Sequence, residues 1–241
     1  MNDKYNMTIE DNILYAKRNI VDSIYTEARL EGIGVTYPDT YEIFNGRTVA
    51  GLSVDDTIKI NNLKHAWQFI INSIDYPIDL RYIRQINSEI GKGIILNAGK
   101  LRDVEVKIGG TSWKPDIPNE EKIKSDINAI ISCDKTVTEK SIDMMLYIMR
   151  SQMFMDGNKR VAQITANKMM IEGGAGIISV PVDKQHEFTE RLIDFYESND
   201  SSEMAIFIYN NCIDGYDNGG QKTNENEECP DYTGKSKKIT P

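Results

Sequence analysis

Phe154-Met155-Asp156-Gly157-Asn158-Lys159-Arg160 sets one acidic residue, two turn formers and two cations between apolar segments. Upstream, Ile142, Met145, Leu146 and Met149 recur at helical spacing, and downstream Val161, Ile164 and Ile171 do the same. Gly157 and Asn158 therefore interrupt a helical pattern instead of ending it, which predicts helix, short loop, helix. The loop amides then lie at the start of the second helix. There, orphan N–H groups and the helix dipole attract an anion, and Lys159 and Arg160 add positive charge. Asp156, at the lip of that site, suits a divalent cation bridging phosphate oxygens. Phosphate together with a metal makes a nucleotide the first ligand to consider.

Two other segments stand out. Ala98-Gly99-Lys100-Leu101-Arg102 leads into Val104, Val106 and Ile108, whose alternation predicts a short exposed strand. Gly109-Gly110 predicts a turn before Trp113-Lys114-Pro115. Far upstream, Arg29-Leu30-Glu31-Gly32 closes a helical pattern. Together these parts resemble the Fic/Doc family. Its signature is His-Pro-Phe-x-(Asp/Glu)-Gly-Asn-(Gly/Lys)-Arg-x-x-Arg, in a loop between two helices. Phe154, Asp156, Gly157, Asn158, Lys159 and Arg160 match it in type and register, whereas the catalytic histidine falls on Gln152, the second arginine on Gln163 and the proline on Met153. The glycine-flanked alternation looks like the family's flap. Glu31-Gly32 looks like the end of its N-terminal inhibitory motif, with Glu27 at the Ser/Thr position. The resemblance runs from about Asp22 to about Asp194 and implies an all-α Fic fold, a helical bundle with a short β-hairpin flap.

The resemblance also implies a chemistry. Mg-ATP (or ADP) would bind with Mg²⁺ on Asp156 and phosphate on the amides of Gly157, Asn158 and Lys159. Arg160 would neutralise the outer phosphates, Asn158 would contact the transferred group, and Gln163 stands at a further nucleotide-binding position. Val104, Val106 and Ile108 would hold a target protein by main-chain pairing. AMP transfer to a Ser, Thr or Tyr hydroxyl (adenylylation) is the leading function. The alternatives are a catalytically silent module that binds nucleotide and a protein partner, and a Doc-like kinase, a type in which lysine at the Lys159 position also occurs. Gln152 cannot accept a proton near neutral pH, and the lost general base is worth typically ~10²–10⁴ in rate. With Gln163 in place of an arginine, Glu31 must turn to Arg160 or to the Gln163 amide. Glu27, one turn earlier, adds like charge, so either weakened inhibition or a purely structural helix is expected.

Composition narrows the setting. The 241 residues, 40% of them hydrophobic, suffice for one substantial core. A net charge of −9 argues against a nucleic-acid partner. Cys133, Cys212 and Cys229 are odd in number and lack metal-ligand spacing, which suggests free thiols in a cytoplasmic protein. No apolar run of membrane-spanning length is visible, so no membrane partner is expected. Homo-oligomerisation stays open. His65 and His186 lie in helical patterns, where histidines are common without a catalytic role.

The expected organisation is an N-terminal helix and loop over 1–50, a Fic core over 51–213 and a disordered tail over 214–241. Thr8 and Asp11 cap the first helix, and Pro38, Asn45-Gly46 and Gly51 mark a loop or hairpin. Helices are expected near Asp55–Ser73, Asp79–Ile90, Pro118–Cys133, Val182–Glu197 and Ser201–Cys212. Thr138 is expected to cap the helix before the loop, and Gly173-Gly174 to close the one after it.

Overall fold

Helical periodicity and side-chain caps account for the architecture. The structure, a computed structural model, describes residues 1–216. Helix α1 (Ile9–Leu30) starts where the Thr8 hydroxyl accepts the Asp11 amide, with Glu10 and Asp11 on the positive end of the dipole. Helix α2 (Tyr37–Phe44) follows a capping box between Thr36 and Asp39. Its Pro38, expected in a loop, stands in the first helical turn, where a missing N–H costs nothing. Then come α3 (Val54–Asn72), α4 (Leu80–Gly91), α5 (Glu120–Ser132), α6 (Val137–Ser151) and α7 (Asn158–Glu172). After a 3-10 turn at Val182–Lys184, α8 (Gln185–Ser198) and α9 (Ser202–Asn211) complete the bundle. The cap of α6 is Thr136, in a capping box with Glu139, whereas Thr138, expected to cap, is buried within the first turn.

Helix α7 is buried on nearly every side, as a helix is when it forms the centre of a bundle. It packs against α1, α3, α4 and α6. Ala16, Ile24 and Ala28 of α1 share one core with Trp67, Ile86, Met145 and Ile164, so the core crosses the expected boundary at residue 50. No helix among the described residues is long and apolar enough to cross a membrane.

The fold is all-α with one small antiparallel pair, but that pair is not the flap. Strand β1 (Ile177–Ile178) pairs with β2 (Ile213–Asp214), with Ile178 opposite Ile213. The segment 101–119 forms no strand among the described residues. A buried guanidinium holds the flap's two ends together instead. Arg102, 3% exposed, donates through Nε to Gln152 O (2.6 Å), through Nη1 to Val104 O (2.7 Å), and through Nη2 to the carbonyls of Pro115 and Asp116. Its own amide donates to Met153 O at 3.0 Å. Of the tail expected from 214, Asp214 lies in β2 and Tyr216 packs on Tyr15, and residues 217–241 lie outside the described residues.

Arg102→Met keeps the buried stem and removes every one of these side-chain donors. Four carbonyls then lose a charge-assisted partner, and a stability loss of about 3–5 kcal/mol is expected in urea unfolding. A loss below about 1 kcal/mol would mean that water replaces the guanidinium at no cost.

Candidate nucleotide site at the α6–α7 loop

The loop is built by two left-handed residues. Gln152 leaves α6 at φ 45° and Gly157 begins α7 at φ 81°. A side chain at Gly157 would be strained by the positive φ and crowded, since an added Cβ would lie 3.3 Å from Ile90 and 3.4 Å from the Asn87 amide. Met153 and Phe154 are buried and pin the loop to the core. Asn158 closes it from inside: its Oδ1 accepts from Phe154 N (2.9 Å), and its Nδ2 donates to Phe154 O (2.8 Å) and Gln152 Oε1 (3.1 Å). Asn158 is 5% exposed and fully engaged, so it braces the loop where contact with the transferred group is expected.

Gln152 is tied on all sides. Its Nε2 donates to Met149 O at 2.6 Å, its Oε1 takes the Asn158 amide, and it bonds the Tyr196 hydroxyl. Burial raises the Tyr196 pKa, so the phenol stays protonated. Neither histidine stands in for the missing base, because His65 and His186 are exposed and neither lines the loop cavity.

The cations converge on a carboxylate. Glu31 Oε1 lies 3.3 Å from Lys159 Nζ, and Glu31 Oε2 lies 3.3 Å from Arg160 Nε. Glu31 thus has two cationic partners, where the substitution at 163 leads one to expect a weak one. Arg160 also reaches Asp156 Oδ1 at 3.4 Å, and its Nη1 is buried without an acceptor. Gln163, 1% exposed, lies beneath the site with neither amide atom hydrogen-bonded, so it does not join Glu31. The like-charge conflict expected from Glu27 is resolved by protonation. Burial, with a smaller push from Glu31, raises its pKa to about 8 against the Trp67 Nε1–H bond and the Arg160 charge.

Glu31, Gln152, Asp156, Gly157, Asn158 and Lys159 line one cavity of about 340 Å³, with Ile108 of the flap and Tyr196 of α8 opposite. Val104 lies outside it, on the far side of Asp156, and Val106 does not line it. The flap tip is fastened by Glu197, which accepts from Thr111 Oγ1 (2.6 Å), Ser112 N (2.5 Å) and Ser112 Oγ (2.9 Å). These bonds, the Thr111 hydroxyl first, hold the Glu197 pKa down. A residue missed on sequence is Asn87, whose Nδ2 donates to Asp156 O (3.0 Å) while its Oδ1 accepts Gly99 N (2.7 Å), joining loop and flap. A polar residue on the apolar face carrying Ile83, Ile86 and Ile90 was the signal for it.

Anion and metal can be judged from these groups. The first-turn amides of α7 have no intrahelical partner by construction, although Gly157 N–H is taken by Asp156 Oδ1 at 2.6 Å. Asp156 is 62% exposed, and only Oδ1 is engaged, so Oδ2 can take a divalent ion. No group of three ligating side chains surrounds it among the described residues. One carboxylate fits Mg²⁺ that arrives with phosphates and waters.

Comparison with known proteins agrees in fold. The Fic/DOC family profile matches residues 77–170. A segment of Fic-1 from C. elegans superposes with a TM-score of 0.68 at 18% identity, covering 81% of this chain and 61% of that one. A Fic domain-containing signalling protein from Bacteroides thetaiotaomicron gives 0.70 at 17% identity, with 85% of each chain covered. A Fic family protein from Desulfovibrio desulfuricans gives 0.67 at 13% identity, covering 80% of this chain and 62% of that one. The chain therefore spans less than two thirds of the C. elegans and Desulfovibrio chains. No curated protein matches the sequence.

Glu27 gives the site a pH signature. Between the ordinary value of 4.5 and about 8 the native state holds a proton that the unfolded chain releases. The contribution of Glu27 to stability is thus fully present below about pH 4.5 and is lost as pH rises through about 8. Glu27→Gln keeps an acceptor for Trp67 and removes the titration. Its stability advantage over wild type is expected to grow by a few kcal/mol from about pH 5 to about pH 9 in urea unfolding. Parallel curves would show that Glu27 is ionised in the native state.

Proposed function

From the premise that this chain carries a Fic domain, we propose that it binds a magnesium–adenine nucleotide over Asp156–Arg160 and transfers AMP slowly to a protein hydroxyl. The observation that carries the proposal is the Glu31 carboxylate, an anion held by Lys159 and Arg160 at the wall of the loop cavity. It marks where this protein places negative charge, and a nucleotide phosphate competes for the same cations. Displacing Glu31 frees a planar guanidinium whose geometry suits two phosphate oxygens. Mg²⁺ bound with the phosphates at Asp156 would neutralise their charge as the pyrophosphate leaves.

The target hydroxyl would attack the α-phosphorus, forming the new P–O bond as the bond to pyrophosphate breaks. Its proton has no basic side chain to receive it. Gln152, fixed by Met149 and Asn158, can accept a hydrogen bond from the hydroxyl on Oε1 and so orient it, while the proton departs to a phosphate oxygen or water. Positioning and charge stabilisation remain available to such a site, and general-base catalysis does not. Among the described residues Cys133 and Cys212 are free thiols, which supports a reducing, cytoplasmic setting.

Incubation with α- and γ-labelled ATP, Mg²⁺ and a cell extract separates the readings. Weak α-label on protein is expected from wild type, rising more than about tenfold in Gln152→His, which restores part of the general-base contribution. Label from γ alone would replace AMP transfer by phosphate transfer. No label from either protein, with nucleotide still bound, would leave a binding module.

A further inference from the structure

The C-terminal arm of the flap walls a second cavity, of about 540 Å³, between α5, α6 and α8. It shares no lining residue with the loop cavity, although its Ser151 adjoins Gln152. Its size is that of a site for a side chain or small ligand. What distinguishes it is the charge of its walls. Asp126 is held by Lys122 (2.8 Å) and the Tyr147 hydroxyl (2.9 Å), and Asp143 by Lys135 (2.5 Å). Asp116 acts on Arg102. The remaining wall cation, Arg150, has no carboxylate within ion-pair distance among the described residues.

Arg150 is nonetheless half-buried and held in place. Its guanidinium stacks over Trp113 at 4.2 Å and stands 6.0 Å from the Phe195 ring. Nη2 donates to Tyr196 O at 3.2 Å, and Nε is buried without an acceptor. Burial lowers its pKa, and no neighbouring acid offsets the shift. A guanidinium partly withdrawn from water, with no carboxylate beside it, gains more from an incoming anion than a fully hydrated one does. Stacking occupies its face and leaves an edge, the geometry in which arginine takes a carboxylate by two parallel hydrogen bonds. The rim adds apolar surface, with Ile117 50% exposed between Pro115 and Pro118. That combination suits an acidic side chain on a polypeptide better than a small, fully hydrated anion.

We propose that this cavity is a specificity subsite for the protein target, in which Arg150 pairs with an Asp or Glu of the segment the flap holds while Trp113, Ile117 and Phe195 cover that side chain's stem. The proposal rests on the reading of the flap as a target-holding element. It names the target class as hydroxyl-bearing segments with a nearby acidic residue.

Binding to the full chain, without nucleotide, provides the test. Labelled extended peptides carry one Glu walked through successive positions around a Ser, each beside its Gln counterpart, and affinity is read by fluorescence anisotropy. At one or two positions Glu is expected to bind about tenfold more tightly than Gln, with a change in Trp113 emission. Arg150→Gln should abolish that preference and Arg150→Lys should restore part of it. Equal binding of every Glu and Gln pair, or a preference that survives Arg150→Gln, would overturn the proposal. Should Arg150→Gln fail to fold, the wild-type Glu-to-Gln contrast with the Trp113 signal, absent in Trp113→Leu, decides alone. Nucleotide affinity is measured separately on each protein, so a failed nucleotide site does not obscure the result.

Discussion

The site depends on one buried cation. Arg102 draws four carbonyls from three separate places in the chain to a single guanidinium: Val104, Pro115 and Asp116 of the flap, and Gln152 at the end of α6. Without a fixed donor there, the flap would have two loose arms and the Gln152 carbonyl would lose its side-chain partner. Burial penalises the charge, and the carbonyls offset that penalty because each is itself withdrawn from water. The flap thereby acquires a definite position without any strand partner. Its tip is secured independently by Glu197, and Asn87 ties its start to the loop.

A second constraint operates between α1 and α7, where carboxylates and cations meet out of water. Two negative charges one turn apart would conflict with each other and with burial, and the structure removes one by keeping Glu27 protonated under Trp67. Glu31 then remains the anion that α1 turns toward Lys159 and Arg160, while Asp156 reaches Arg160 from the loop. The contact is ionic but poorly aligned, since Arg160 Nε makes no true hydrogen bond. A misaligned pair is weaker than a bidentate one, so the Glu31 contact holds Arg160 less firmly than its distance suggests.

Much of this was legible in the residues. The period on either side of Gly157-Asn158 gave helix, loop, helix, and α6 and α7 lie as that pattern required. The caps at Thr8, Gly173 and Gly32 follow from local rules that tertiary structure did not override. Failures came where a long-range contact decided. Alternation at Val104, Val106 and Ile108 reads as a strand, but Arg102 claims the Val104 carbonyl that a ladder would use. Asn158 reads as a ligand group, but the loop's own backbone satisfies it. Glu31 seemed short of a partner because one arginine was missing, and a lysine adjacent to the remaining arginine supplies the charge. Pro38 reads as a break, yet at the first turn of a helix it is compatible with continuing.

The central claim is that Asp156 through Arg160 form a phosphate site whose cations are shared with Glu31. Isothermal calorimetry with Mg-ATP on wild type, Arg160→Ala and Glu31→Ala tests it most directly. Removing Arg160 should weaken binding by about tenfold or more, because a charge-assisted contact to phosphate is lost, and removing Glu31 should strengthen it by releasing both cations. Equal affinities in all three proteins, or no binding by any of them at millimolar nucleotide, would contradict it.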